Sequence, residues 1–284
     1  MHIALALLSA LFSAFTAIFG KKALKGIDSH AATFIRTGLI LVYVWVFAFA
    51  VGAHKQISAL QAESVLFLLL SGAATGGSWL CYYKALSIGE VTRVTAVDKS
   101  SILLTMVFGM TVLQEHVSAG KVIGLVLIAA GTFLMLGKFS KHGGTNTQSL
   151  LLALASAILA ALTSILAKIG LREVDANLGT AIRTAIVFVF AGLMLLPKSR
   201  RAALRTVKRN TLGLLGLSAL ATSLAWLCYF NALRMGEASI VAPLDKLSTV
   251  ITIGLSIWLL KEKASASLLA GAGIATVGTI LTLF

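Results

Sequence analysis

The chain runs through ten apolar blocks of about twenty residues each, the length a helix needs to cross the hydrocarbon of a bilayer. They lie at 3–20, 31–52, 64–83, 91–113 and 119–137, then at 150–169, 176–196, 211–233, 238–260 and 265–284. A soluble core would show strands or amphipathic helices with one polar face, whereas most of these blocks are apolar nearly all round. Charged residues are 12% of the 284 and hydrophobic ones 58%. A soluble domain carries about 25% charged residues, and so few charges cannot coat a water-facing surface. The prediction is an all-α membrane protein with ten transmembrane helices.

Shifted by 147 residues, the chain falls on itself without a gap. Ser9 meets Ser156, Thr16 meets Thr163, Lys21 meets Lys168 and Asp28 meets Asp175. The tripeptide IRT recurs at 35–37 and 182–184, and WLCY recurs at 79–82 and 226–229. Asp98-Lys99 recurs as Asp245-Lys246, and Glu115 as Glu262. Such self-similarity marks two copies of one structural unit. The expected organisation is a five-helix repeat over 1–137, a linker over 138–148 and a second five-helix repeat over 149–284. Five is odd, so the second copy enters the membrane upside down, an inverted repeat of the kind secondary transporters use.

The net charge is +14, but the basic residues sit in short links between apolar blocks. No basic-plus-aromatic surface emerges, so nucleic acid is not an expected partner. Fifteen Lys and Arg fall in the links after the odd-numbered spans and five in those after the even-numbered ones. The positive-inside rule then puts the rich side in the cytoplasm and both termini outside. Cys81 and Cys228 lie within apolar blocks and read as small buried hydrophobes. The first block resembles a signal peptide only superficially. It lacks a basic leading region and recurs in mid-chain, which makes it a membrane helix.

A charge halfway along a membrane helix costs roughly 2.5–3.5 kcal/mol on insertion scales and tends to mark a cavity or pathway. Asp98 and Lys99 lie about two turns into the fourth span, and Asp245 and Lys246 at the same depth in the ninth. Asp98, Ser101 and Thr105 share one helix face by their spacing, as do Asp245, Ser248 and Thr252. Pro243 frees a backbone carbonyl in the ninth span. Other polar stripes repeat: Ser71, Thr75, Trp79 and Tyr82 with Ser218, Thr222, Trp226 and Tyr229; Thr33, Arg36 and Thr37 with Thr180, Arg183 and Thr184. The fifth and tenth spans carry small residues instead, Gly120, Gly124 and Gly131 against Ser267, Gly271 and Gly278, a face for close helix contact. Spans one to four and six to nine are therefore expected to surround a polar cavity, with five and ten packed outside.

Each feature also admits a purely structural role. The Asp-Lys pairs could be ion pairs that hold helices together. The aromatics could be interfacial anchors, and Arg36 and Arg183 could snorkel to phosphates from near span ends. Asp28 and Asp175 read as helix N-caps, Glu90 and Glu237 as cap or first-turn acids, and Glu115 and Glu262 as interfacial. The five histidines fall in links without ligand spacing. With no catalytic set, metal site or phosphate loop, neither an enzyme nor a cofactor is expected.

Two five-helix units, each with an Asp-bearing fourth span, then VLQE (112–115) or LLKE (259–262), then a Gly-rich fifth span, resemble the EamA-like branch of the drug/metabolite transporter superfamily. The resemblance covers essentially the whole chain, and APLDKLS at 242–248 is similar to a prokaryotic subgroup. It implies ten helices, a central cavity between the units, and export or exchange of amino acids, metabolites or drugs across the cytoplasmic membrane of a prokaryote. The small four-helix members use a membrane-embedded Glu in their first helix. Here the first and sixth spans hold no acid, which argues against that form of cation–proton antiport. The expected function is secondary active transport by alternating access, with an amino-acid-like exporter first. An exchanger of anionic metabolites such as sugar phosphates or nucleotide sugars, a lipid-carrier flippase, and a non-transporting membrane subunit are the alternatives. Asp98 and Asp245 would couple protons or meet a substrate amine. Lys99, Lys246, Arg36 and Arg183 would meet a carboxylate or phosphate, and the four aromatics would wall the cavity. Expected partners are membrane lipid, a small-molecule substrate and protons, and the small-residue faces leave a homodimer open.

Overall fold

The computed structural model describes residues 1–24, 27–135, 147–204, 207–261 and 264–284, and among these it is helical with no strand. The helices are α1 (His2–Ala23), α2 (Ser29–Ala50), α3 (Ala62–Ile88), α4 (Val91–Lys99), α5 (Ser101–Thr111), α6 (Ala119–Met135), α7 (Thr147–Gly170), α8 (Ala176–Leu193), α9 (Lys198–Ala203), α10 (Arg209–Met235), α11 (Ala238–Lys246), α12 (Ser248–Leu260) and α13 (Ala266–Leu281). Among the described residues, eight segments are long and apolar enough to cross a membrane: α1, α2, α3, α7, α8, α10, the run Arg93–Thr111 through α4 and α5, and the run Ala238–Leu259 through α11 and α12. Helices α6 and α13, of 17 and 16 residues, are apolar but shorter. The expected linker lies outside the described residues except for Thr147 and Gln148, which open α7, and Glu262 lies outside them too.

The element ends follow local chemistry. Asp28 caps α2, its carboxylate accepting from the backbone N–H of His30 and Ala31 at 3.0 Å each. Asp175 caps α8 through Asn177 at 2.9 Å and Leu178 at 3.4 Å. Both satisfy amides that a helix start leaves open, as their sequence positions suggested. Glu90 and Glu237 occupy the N-cap positions of α4 and α11 but make no side-chain cap. Their carboxylates turn instead to Arg93 and Lys121.

The expected fourth and ninth spans are not continuous. At Ser100 the amide donates to Val97 O at 3.1 Å, and at Leu247 the amide donates to Leu244 O at 3.1 Å. Each is a tightened three-residue turn within a span-length helical run. The two breaks sit at the same place in the repeat, as do Gln114 (φ 55°) and Lys261 (φ 54°), the left-handed residues that end the two spans.

Packing is by reciprocal pairs. Helix α1 lies along α10 and α3 along α7, while α2 packs on α8 and α6 on α13. Fully buried Ala6, Ala10 and Ala14 of α1 recur as fully buried Ala153, Ala157 and Ala161 of α7. Helix association in lipid gains nothing from hiding apolar surface, so close contact at small residues must supply it. The contact runs antiparallel in α2–α8, where Phe188 faces Gly38 and Phe34 faces Gly192, and in α6–α13, where Leu281 faces Gly120 and Gly278 faces Gly124. Large apolar side chains cover the outside, Trp258 (75% exposed) and Val126 (59%) among them, which in water would be an adhesive surface.

The glycines of α6 are required by approach of the opposite backbone. A Cβ on Gly124 would stand 2.6 Å from the carbonyl oxygen of Gly278, and one on Gly131 2.6 Å from that of Gly271. Gly124→Val should therefore lower the thermal midpoint in detergent, at an overpacking cost of about 1–3 kcal/mol. Gly273→Ala, where a Cβ meets nothing within 4 Å, should leave it unchanged or slightly raised.

Candidate functional site

The middles of α1, α3, α7 and α10, with α2, α5, α8 and α11, enclose a cavity of about 360 Å³. Hydroxyls bridge the halves around it in matched pairs. Ser71 donates to Thr163 O at 2.7 Å, and Ser218 to Thr16 O at 3.1 Å. The Thr75 and Thr163 hydroxyls stand 3.1 Å apart, as do those of Thr16 and Thr222. Ser156 donates to Asp98 Oδ1 at 2.7 Å, and Ser9 to Asp245 Oδ1 at 2.5 Å. Each residue in these pairs has its counterpart 147 positions away, in the other half. Buried polar groups cost free energy unless partnered, so each half completes the hydrogen bonding of the other.

The cavity itself is unsymmetrical. Arg183 is 1% exposed. It does not snorkel, as a span-end arginine would. It donates through Nε to Ser71 Oγ at 3.3 Å and through Nη2 to Thr75 Oγ1 at 2.8 Å. Its guanidinium carbon lies 4.1 Å from the Phe230 ring centre and 5.6 Å from that of Trp226, within cation–π range. The Ser164 and Tyr229 hydroxyls, 2.8 Å apart, close the same end. Arg36, its repeat counterpart, lines the cavity with a buried Nε that has no partner. It also lines a smaller hollow of about 130 Å³ that reaches Leu24 and Ser29 at the opposite end of the bundle. Ala17 stands where Ser164 has its counterpart, and Tyr83 where Phe230 has its own, so the sequence itself breaks the symmetry.

Of the residues singled out from sequence, Arg36, Arg183, Trp79, Trp226, Tyr229, Ser101, Thr105, Asp245 and Lys246 line the cavity. Asp98 is held by Ser156 beside it, Tyr82 reaches Thr95 at 3.4 Å, and Lys99 lines a separate niche. Ser248 and Thr252 are not among the cavity residues, although their repeat counterparts Ser101 and Thr105 are. No ion pair between described residues joins Asp98 to Lys99 or Asp245 to Lys246. Three cationic side chains, Arg36, Arg183 and Lys246, thus face a cavity with one carboxylate, Asp245. Ser13 completes a stripe with Ser9 and Thr16 on α1; that spacing was visible in the sequence and went unread.

A second feature was missed. Glu115, read from the sequence as interfacial, is 8% exposed and sits against the start of α11. Its carboxylate accepts from the amides of Ala238 at 2.6 Å and Ser239 at 2.8 Å, and from Lys168 Nζ at 2.7 Å. Lys168 also donates to Gly236 O at 2.7 Å, and Lys121 pairs with Glu237 alongside. An acid from the end of α5 thereby caps α11 and clasps α7, where the helix dipole favours it. Burial pushes the Glu115 carboxyl up, but the hydrogen bonds from Lys168 and Ser239 outweigh that and hold it below the usual carboxylate value. Charges repeated at one step in both halves, Lys21 with Lys168 and Glu115 with Glu262, were the available signal.

Helices of membrane length around a polar, charged cavity define a membrane transporter. The model of the EamA-like transporter family matches residues 1–137 and again 147–284, and the chain belongs to that family, within the drug/metabolite transporter superfamily. It is an integral membrane protein, of a family of transporters and not of enzymes. An uncharacterized transporter in the cobO 3' region of Sinorhizobium sp. is 42% identical over 130 residues, which is 46% of this chain and 92% of that protein. The uncharacterized transporter YvbV of Bacillus subtilis (strain 168) is 32% identical over 169 residues, 60% of this chain and 55% of that protein. A solved crystal structure matches with a TM-score of 0.80 over 99% of this chain and 94% of its own, at 16% identity, a likeness of fold alone.

Glu115→Gln should leave Lys168 without its counter-charge and lower thermal stability by on the order of 3 kcal/mol. Because the folded-state value of Glu115 is depressed, its contribution is present above the ordinary carboxylate range and fades as pH falls through the lower folded value. Thermal midpoints of wild type and variant, measured in detergent against pH, should therefore converge towards acid.

Proposed function

We propose that this chain is a secondary active transporter that moves a small metabolite bearing a carboxylate or phosphate by alternating access at the central cavity. The observation that carries the reading is the charge imbalance among the described residues: Arg36 with a partnerless Nε, Lys246 without an ion pair, and Arg183 bonded only to neutral hydroxyls. Guanidinium groups match planar oxyanions in a bidentate way. An anionic solute would supply the missing counter-charge, which favours an exchanger of anionic metabolites. Asp245 at the same wall supports a second reading, an amino-acid-like zwitterion whose amine meets that carboxylate, or a proton that shares the site.

The moving parts are two five-helix units, 1–137 and 149–284, inverted with respect to each other and making ten spans with α6 and α13 as the fifth and tenth. The antiparallel contact of repeat-equivalent helices, α2 with α8 and α6 with α13, supports this arrangement. Tight closure around Arg183 and the Glu115 clasp at one end, against the looser Arg36 at the other, supports a state sealed on one side. Exchange of the two arrangements between the units would open the sealed end. A polar cavity of this size also speaks against a non-transporting subunit. The host membrane is the cytoplasmic membrane of a prokaryote, in line with the bacterial relatives. Both termini lie outside by the count of basic residues, with lipid, the solute and protons as partners. The small-residue faces of α6 and α13 are taken up against each other, so a homodimer would need another surface.

Proteoliposomes test this with a panel of labelled carboxylates, phosphates and amino acids, with and without a pH gradient. Arg36→Gln should weaken the apparent affinity for the transported anion by about 10–100-fold, the worth of a charge-assisted hydrogen bond. Asp245→Asn should flatten the pH dependence of flux while Asp98→Asn alters it less. Flux of neutral solutes only, or flux and pH dependence untouched by both Asp variants, would end the reading.

A further inference from the structure

Lys99 and Lys246 occupy the same position in the two halves, and both project into a second cavity of about 220 Å³ outside the central one. Each lies at the end of the first segment of a broken span, in the middle of the bundle's length. Each is exposed to that space, and no ion pair between described residues engages either. Their sequence neighbours Asp98 and Asp245 are held by Ser156 and Ser9. The rest of the lining comes from α5, α6, α12 and α13 and is dominated by apolar side chains such as Ile128, Val250 and Leu268. Beyond it, on α12 and α13, exposed Trp258 and Leu269 belong to the lipid-facing surface. Two ammonium groups at this depth, with hydrocarbon around them, are costly without an anion. An apolar slot that ends in two cations is complementary to a molecule with an anionic head and a hydrocarbon tail.

We infer that this niche binds a single-chain anionic amphiphile, a long-chain carboxylate that enters from the bilayer between α12 and α13. The head lies between Lys99 and Lys246 and the tail runs along α6 and α13 toward lipid. The cavity is small beside the roughly 300–1,000 Å³ of drug-sized sites, which suits one chain and not the two of a bilayer lipid. Lys246 and Ile102 line this niche and the central cavity alike, so an occupant of one shares a wall with an occupant of the other. Lys246 is shared with the proposed solute site, whereas Lys99 and the apolar walls of α6, α12 and α13 belong to this niche alone.

The probe is palmitic acid carrying a diazirine on its chain, photolysed with the whole protein in phosphatidylcholine nanodiscs and mapped by peptide mass spectrometry. Parallel arms use diazirine-bearing phosphatidylcholine and phosphatidylglycerol. The expected result is labelling of α6, α12 and α13 peptides by the fatty acid and not by either lipid. Lys99→Gln should reduce it roughly tenfold, the worth of one charge-assisted contact. Val250→Trp, which fills the slot without changing charge and lies outside the central cavity, should reduce it while solute uptake persists. Monodisperse elution in detergent qualifies each variant as folded, and either one alone then decides. Undiminished labelling in a folded variant, labelling elsewhere, or equal labelling by phosphatidylglycerol overturns the assignment.

Discussion

Inside a bilayer a buried polar group must find its partner within the protein, and the construction of this molecule follows from where those partners are. The hydroxyls and carboxylates of one half are satisfied by the other. Ser156 of α7 donates to Asp98 of α4, and Ser9 of α1 to Asp245 of α11. Ser71 and Ser218 reach across to backbone carbonyls of α7 and α1. Helices in lipid have no hydrophobic drive to associate, and each interhelical hydrogen bond is worth only about 0.6 kcal/mol on average. Their number and reciprocity, together with the alanine stripes that let the helices close, hold the two halves in register.

A cavity survives at the centre because the polar groups there are only partly consumed. Arg183 is held by two hydroxyls and two aromatic rings, whereas Arg36 is left with an unpartnered nitrogen. The same pair of residues, placed in two copies of one unit, occupies two environments. Two arrangements of one sequence motif are thus present side by side. The Glu115 clasp belongs to the engaged end, where it joins the close of α5 to the start of α11 and the last turn of α7.

Much of this was legible in the sequence. Apolar blocks of membrane length, the 147-residue repeat, the N-caps Asp28 and Asp175, and the small-residue character of α6 and α13 all depend on composition and spacing along one helix. They need no knowledge of what lies opposite. Arg36, Arg183, Trp79, Trp226 and Tyr229 line the central cavity for the same reason, since polar and aromatic residues inside lipid-length helices have few places to point. Ser248 and Thr252 share the spacing of Ser101 and Thr105 yet lie off the cavity, so spacing along one helix does not fix which copy faces it. The breaks at Ser100 and Leu247 carry no strong signal of their own, apart from Pro243 one turn before the second.

What the sequence determined by itself was a duplicated, membrane-embedded helical chain with charges at its middle, because solvent and backbone hydrogen bonding leave such a chain no other regular structure. What tertiary structure alone decided was the partner of each charge: Asp98 with a serine rather than its neighbouring lysine, Glu115 with a distant helix start, Lys99 and Lys246 with one shared niche. Side chains adjacent in sequence point about a quarter-turn apart on a helix, so adjacency does not make a pair. Only the approach of the other half brings the opposite charge, the hydroxyl or the empty space into reach.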